Sequence, residues 1–251
     1  MKRIIIFLAA LAIAHVASAQ TESPLVFDTQ GDNLGISVAG FNISLGENKD
    51  NRPTRMTAQF AGISYGVNVL TYEPNYGNWA GEPDFMTDDV ASTRLGIEAL
   101  GLQVSLNRKR TLFVKASMNA NFDFYRFKEA MTLAENESGD LMPQQLSGIV
   151  KKSKMVASYI GAGAGFGFEV NKLRVTFDFN VDVLVGSHVK YKNPDKTKYH
   201  IGGFNNLRYR PGVSVSFDDW GVYADYSLTP LFRDGVGNDG RVLSIGLRAG
   251  F

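Results

Sequence analysis

Between Tyr159 and Val185 apolar side chains recur at every second position. In the second half of this stretch Leu173, Val175, Phe177, Phe179, Val181, Val183 and Val185 alternate with Arg174, Thr176, Asp178, Asn180 and Asp182. Side chains change face with period two along a strand, so one face is continuously apolar and the other charged. The first half repeats the pattern with small residues: Ile160, Ala162, Ala164, Phe166, Phe168 and Val170 face one way, and Tyr159, Gly161, Gly163, Gly165, Gly167 and Glu169 the other. Asn171-Lys172 between them suits a two-residue hairpin turn, because Asn tolerates positive φ. Both arms exceed the usual soluble strand of about 5–6 residues and reach the roughly 9–11 that a tilted strand needs to cross a bilayer.

The same alternation predicts the rest of the chain. Leu34 to Leu45 is strand-like with a phase break at Gly40, read as a bulge, and residues 46–56 form a charged connector. From Thr57 the pattern is regular: a strand to Leu70, a loop rich in Pro, Asn and Gly over 71–89, and a strand over 93–106 whose phase break places a bulge near Ala99. A tight basic turn at 107–110 leads to a strand from Leu112 to Phe124. The pattern then predicts a long polar loop over 126–153, the central hairpin, and another long loop over 186–205. Strands at 212–217, 222–229 and 241–251 close the chain. Counting from Thr57 gives eight strands whose connections alternate long and short, the asymmetry of outer-membrane barrels with long outer loops and tight periplasmic turns. The predicted fold is all-β: a transmembrane antiparallel up-and-down β-barrel of eight strands, or ten if a hairpin over 25–45 joins the wall.

Composition sharpens this. Lys2 and Arg3, the apolar run Ile4 to Val16, and Ala17-Ser18-Ala19 before Gln20 have the layout of a cleaved secretory signal peptide over 1–19. The expected organisation is that signal, an N-terminal segment over 20–56, and the barrel over 57–251. The whole chain has 26 basic and 25 acidic residues. Removing Lys2 and Arg3 leaves 24 against 25, which argues against nucleic acid as a partner. With no Cys, disulfides, thiol catalysis and Cys-ligated metals are excluded. The expected location is the outer membrane.

The charged face decides between membrane and water. It carries Arg94, Glu98, Lys115, Asp123, Glu169, Arg174, Asp178, Asp182, Arg208, Arg210, Asp225 and Arg248, six basic and six acidic. A soluble barrel would turn the apolar face inward and leave these outside. A membrane barrel turns them into the lumen, where they must pair. Arg174, Asp178, Asp182, Glu169, Arg248 and Asp225 are the expected lumen charge network. An eight-stranded lumen is just filled by side chains, so a plugged interior is favoured over a channel. Tyr65, Tyr125, Tyr226, Phe124 and Phe217 are expected to form an aromatic girdle.

Candidate chemistry is sparse. The histidines after the signal are His188 and His200, well separated in sequence and read as no metal site. Ser187 and His188 are adjacent on a strand and so face apart, which disfavours a hydrolase. The glycines from 161 to 167 lack the Lys-Ser/Thr and helix of a phosphate loop; they are read as room for bulky inward side chains such as Tyr159. No cofactor is expected. In the 71–89 loop, Tyr76 and Trp79 are candidates for protein or glycan contacts. Lys151, Lys152 and Lys154 are placed to meet lipopolysaccharide phosphates.

The chain ends in alternating apolar residues, Leu243, Ile245 and Leu247, before a terminal Phe251. This ending resembles the C-terminal recognition signal of Gram-negative outer-membrane barrels, with Leu247 and Phe251 as the assembly signal. The segments FAGISYGVNVL, FNVDVLVGSHVKYK and YADYSLTPLF resemble the small outer-membrane β-barrel family of Bacteroidetes with a PorT-like barrel domain. The resemblance implies insertion by the barrel assembly machinery, and contact with outer-membrane lipid and lipopolysaccharide. The functional expectation is a non-enzymatic envelope-structural or surface-interaction protein. The alternatives are a small ion or solute channel, a barrel tied to secretion machinery, or a lipid-modifying enzyme.

Overall fold

A computed structural model describes residues 26–30, 33–38, 41–45, 56–59, 62–71, 92–107, 109–127, 130–150 and 152–250. The predicted signal peptide, the loop carrying Tyr76 and Trp79, and Phe251 lie outside the described residues. The chain divides into two compact units, Met1–Arg52 and Pro53–Phe251. The first contains a small antiparallel sheet of β1 (Val26–Gln30), β2 (Asn33–Val38) and β3 (Phe41–Leu45). Val38 pairs with Phe41, so the stretch read as one bulged strand over 34–45 is two antiparallel strands; Gly40 itself lies outside the described residues. These strands pair with one another and, among the described residues, with no strand of the second unit. The ten-strand alternative is therefore not realised.

The second unit is a closed antiparallel barrel of eight strands. They are β5 (Gly62–Thr71), β6 (Thr93–Ser105), β7 (Leu112–Arg126), β10 (Lys152–Val170), β11 (Leu173–Asn193), β13 (Leu207–Phe217), β14 (Trp220–Tyr226) and β15 (Arg241–Ala249). Each pairs with its neighbour in sequence, and β15 closes the ring on β5, from Ala249 opposite Ile63 to Arg241 opposite Thr71. β4 (Met56–Gln59) pairs with β6 just beyond β5 and continues that line of the wall. The register shift in β6 falls between Glu98 and Leu100, at the expected bulge. At the central hairpin Asn171 and Lys172 have φ of 49° and 70°, so both turn residues adopt the left-handed region of a type I′ turn.

Two long loops are more ordered than the sequence pattern implies. Residues 126–153 include a hairpin of β8 (Met131–Glu135) and β9 (Leu141–Gln145). β11 runs on past Val185 to Asn193 and folds back as β12 (Asp195–His200), a strand outside the ring. The added strands β8, β9 and β12 are short, five or six residues each, and carry no long apolar row by which the sequence pattern could mark them.

Facing is the decisive observation. Phe166, Val185 and Leu247 are 60%, 57% and 60% exposed, whereas Asp123 and Arg94 are 0% and 1% exposed. Apolar residues cover the outside of all eight strands and charges fill the inside. Monomers in water rarely expose apolar patches beyond a few hundred Å², so a belt over eight strands is unusual for one. At about 3.3 Å per residue and a tilt of about 40°, the outward row from Ile160 to Val170 spans about 25 Å, the height of an outer-membrane apolar band. Tyr65 and Phe217 lie outward as expected of a girdle, joined by Trp220, which the sequence reading passed over. Tyr125 does not belong to it: Phe124 takes the outer parity, which turns Tyr125 fully into the interior.

Phe179 faces outward and stacks on Tyr209, with centroids 6.4 Å apart, while its neighbour Asn180 faces inward and accepts a hydrogen bond from Asn119. Phe179→Lys is expected to abolish most insertion, since a mid-bilayer Lys costs roughly 2–4 kcal/mol. Asn180→Lys should retain much more folded protein. Equal membrane-inserted yields of the two variants on a gel would contradict the assigned facing.

Candidate functional site: the lumen and the outer mouth

The lumen is organised by one closed ring of ion pairs. Arg94 donates from Nε to Asp123 Oδ1 at 2.6 Å and from Nη1 to Asp225 Oδ1 at 2.6 Å. The other oxygen of Asp225 accepts from Arg210 Nη1 at 2.8 Å, and Arg210 Nε reaches Asp182 Oδ2 at 2.6 Å. Arg208 closes the circle, with Nε on Asp182 Oδ2 at 3.1 Å and Nη1 on Asp123 Oδ2 at 2.5 Å. Three guanidiniums and three carboxylates thus alternate, each bridging two of the opposite sign. All six residues are buried.

Every wall strand takes part. β6, β7, β11 and β14 supply Arg94, Asp123, Asp182 and Asp225, and β13 supplies both Arg208 and Arg210. From β5, Asn68 donates to Asp123 at 3.2 Å and itself accepts from Ser244 of β15. From β10, the Tyr159 ring lies 3.8 Å beneath the Arg208 guanidinium. The glycines of β10 make this crowding possible. A Cβ at Gly161 would collide with Asp182, and one at Gly165 would stand 2.5 Å from Asp178 Oδ1. Gly161 and Gly165 leave room for carboxylates on β11, Gly163 for Asn180, and Gly167 for a bulky inward ring, that of Phe113 and not Tyr159.

Nearer the short turns the pairing is looser. Lys115 meets Glu98 at 2.7 Å, Arg174 meets Glu169 at 2.7 Å, and Arg248 lies 3.9 Å from Asp178. Arg248 also donates to Ser214 Oγ at 2.6 Å. The Phe113 ring packs beneath Arg174 at 5.2 Å. Between this tier and the ring is a polar cavity of about 90 Å³, lined by Ser64, Ser117, Asn119, Asn121, Asn180 and Tyr223 among others. The six residues expected to form the lumen network all face inward, but in two tiers. Asp182 and Asp225 belong to the ring; Arg174, Glu169, Arg248 and Asp178 belong to the looser tier. The ring's remaining members, Arg94, Asp123, Arg208 and Arg210, carry the inward parity in sequence, yet nothing in the pattern distinguishes them as its centre.

At the long-loop end the interior turns apolar. Tyr125, Met155, Ala157, Tyr159 and Val189 point in from the wall and pack with Leu133, Leu141, Ile201, Phe204 and Phe232 of the loops. Phe204 and Phe232 have ring centroids 5.0 Å apart, and Asn205 donates to the carbonyls of Pro230 and Phe232 at 2.8 and 2.6 Å. The mouth is filled by a dry core resting on the ionic ring.

Ser187 and His188 face apart, as expected. Ser187 is buried and donates to the Ile201 carbonyl at 2.5 Å. His188 faces outward directly opposite His200 on β12, so the two histidines are neighbours despite their separation in sequence. Burial, then the charges of Lys198, Lys154 and Lys190, push the His188 imidazole below its usual pKa. Among the described residues no group of three or more metal-ligating side chains occurs. Leu247 faces outward in β15, opposite Tyr65 and Val222.

No family model and no curated protein matches the chain. Among solved structures it is similar to one described as "Asymmetric conductivity of engineered proteins", at 9% identity over 78% of this chain and all of that chain, with a TM-score of 0.19. A likeness that weak carries no argument about fold or function.

Removing one member of the ring leaves buried charge without compensation. Asp123→Asn is expected to cost about 3–5 kcal/mol, because it strips two buried arginines of a shared carboxylate. Asp218→Asn breaks an exposed pair with Lys172, 3.0 Å long, and should cost about 0–1 kcal/mol. Urea unfolding of the two variants in the same detergent checks the contrast.

Proposed function

We propose that this chain is an exported, non-enzymatic β-barrel of the outer membrane whose lumen is a structural plug and whose role is carried by its outer surface and loops. The observation that carries the reading is the pairing of an outward apolar belt of about 25 Å with a lumen filled by an ionic ring and an apolar cap. The belt supports residence in lipid. The filled lumen speaks against a passive pore, since the ring would have to break to admit a hydrated ion. A hydrolytic role is disfavoured by the opposite facing of Ser187 and His188. The long connections lie at one end with the apolar cap, and the turns at 107–111, 171–172 and 218–219 at the other. By the usual asymmetry of such barrels the capped end faces outward. Barrel assembly machinery and outer-membrane lipid are the partners this reading requires.

Two measurements test it. Mature protein folded in detergent should migrate faster before boiling than after, and it should partition with the membrane fraction. In planar bilayers it should give no conductance steps. Unchanged mobility on boiling together with a soluble distribution would reject the membrane reading; regular single-channel steps would reject the plug.

A further inference from the structure

The sheet formed by β7, β10, β11 and β12 continues beyond the apolar belt, and its outer face changes from apolar to basic. Residues paired directly across antiparallel strands share a face, and two such rows are entirely cationic. Arg126 pairs with Lys154, Lys154 with Lys190, and Lys190 with Lys198. One step further out, Lys152 pairs with Lys192 and Lys192 with Lys196. Like charges directly opposite each other destabilise a sheet. No acidic side chain is ion-paired to any of these seven among the described residues, whereas carboxylates answer the cations of the lumen. The crowding is felt locally: burial, then Lys190 and Lys152, hold the Lys154 ammonium below its usual pKa. Lysines on an edge strand guard against aggregation, which accounts for Lys196 and Lys198 on β12. It does not account for Lys154 and Lys190, which stand on strands paired on both sides.

Position supplies the rest. The last exposed apolar position on β11 is Val185. At about 3.3 Å per residue and a tilt of about 40°, Lys190 and Lys192 stand roughly 13 to 18 Å above it, beyond a headgroup layer of about 5–7 Å, so their long side chains meet a lipid phosphate by reaching down towards the membrane. Their face is the one the wall turns towards surrounding lipid, not the lumen. We infer that this basic sheet face binds the phosphate groups of an anionic outer-leaflet glycolipid, clamping the lipid against the barrel. The inference rests on the outer-membrane orientation proposed above. A phosphate bridging cross-strand lysines would turn their repulsion into attraction, and a lipid so placed would lie with its acyl chains along the apolar belt.

The test uses the full mature protein in detergent, titrated with bisphosphorylated lipid A and with its dephosphorylated form, with bound lipid counted by native mass spectrometry. Wild type should prefer the phosphorylated form. Lys154→Gln/Lys190→Gln/Lys198→Gln should bind it roughly tenfold more weakly or worse, given about 1 kcal/mol per basic residue near an anionic surface. The matching triple Lys→Arg variant and Lys172→Gln, at the opposite end, should bind as wild type. A heat-modifiable gel shift verifies folding of each variant. Glycolipid binding unchanged in the Gln variant overturns the inference, as does equal binding of the dephosphorylated lipid. Inorganic phosphate held as tightly as the glycolipid overturns it too, since the site would then recognise a free anion. A wild-type chain without the gel shift would instead fail the membrane reading, so the two failures are distinguishable.

Discussion

The barrel depends on a circle of three arginines and three aspartates in its middle. A lumen this narrow has no room for bulk water, and a single buried charge would cost several kcal/mol. The chain resolves this by making each carboxylate serve two guanidiniums and each guanidinium two carboxylates. Because donors and acceptors come from different strands, the circle also fixes how the strands are staggered. A slip of one residue in β13 would turn Arg208 and Arg210 towards lipid and leave Asp182 without a partner. The same contacts that neutralise the interior therefore select the register of the wall.

What lies above and below follows from that circle. Above it Tyr159 sits under Arg208 and belongs at the same time to the apolar cap, so the dry core and the ionic ring share a side chain. Below it the pairs are longer or more exposed, and a small polar cavity separates them from the ring. Order is greatest where charge is most deeply buried and slackens towards the turns. This is the arrangement expected if the ring, and not the number of wall hydrogen bonds alone, sets the stability of the closed form.

Much of this was legible in the sequence, for a physical reason. A wall strand of a closed barrel has two unlike surroundings on its two faces, so Leu173 to Val185 alternates and its facing could be read directly. The β6 bulge was legible because a parity switch in an otherwise apolar row has few other causes. Which inward charges meet was not legible. Parity places Arg94 and Asp225 on one side of the wall, but their contact depends on where distant strands lie around the ring. Beyond the apolar belt the signal weakens differently: Lys190, Lys192 and Lys198 alternate with Val189, Tyr191 and Tyr199, yet strands as short as Met131–Glu135 are too brief to show a period. The histidines show the same limit, since only the fold of β12 onto β11 makes His188 and His200 neighbours.

The single strand β11 runs through both the apolar belt and the basic face beyond it. From Leu173 to Val185 its outer row is apolar, which lipid accepts without specificity. Past the irregularity opposite Ser158 and Tyr159, the row turns to His188, Lys190 and Lys192 while the inner row turns apolar with Val189. Reversing both faces at one level keeps a core beneath the sheet and puts Lys154, Lys190 and Lys192 on the outside. A protein needing only a stable wall could have ended its strands at the belt, as β14 does at Tyr226. Extending β10 and β11 beyond it orders further backbone at about 1–2 kcal/mol per residue, and sets like charges side by side. The apolar cap offsets the first cost. An anionic neighbour, as proposed above, would offset the second and would tie the extra length of these strands to what lies against them.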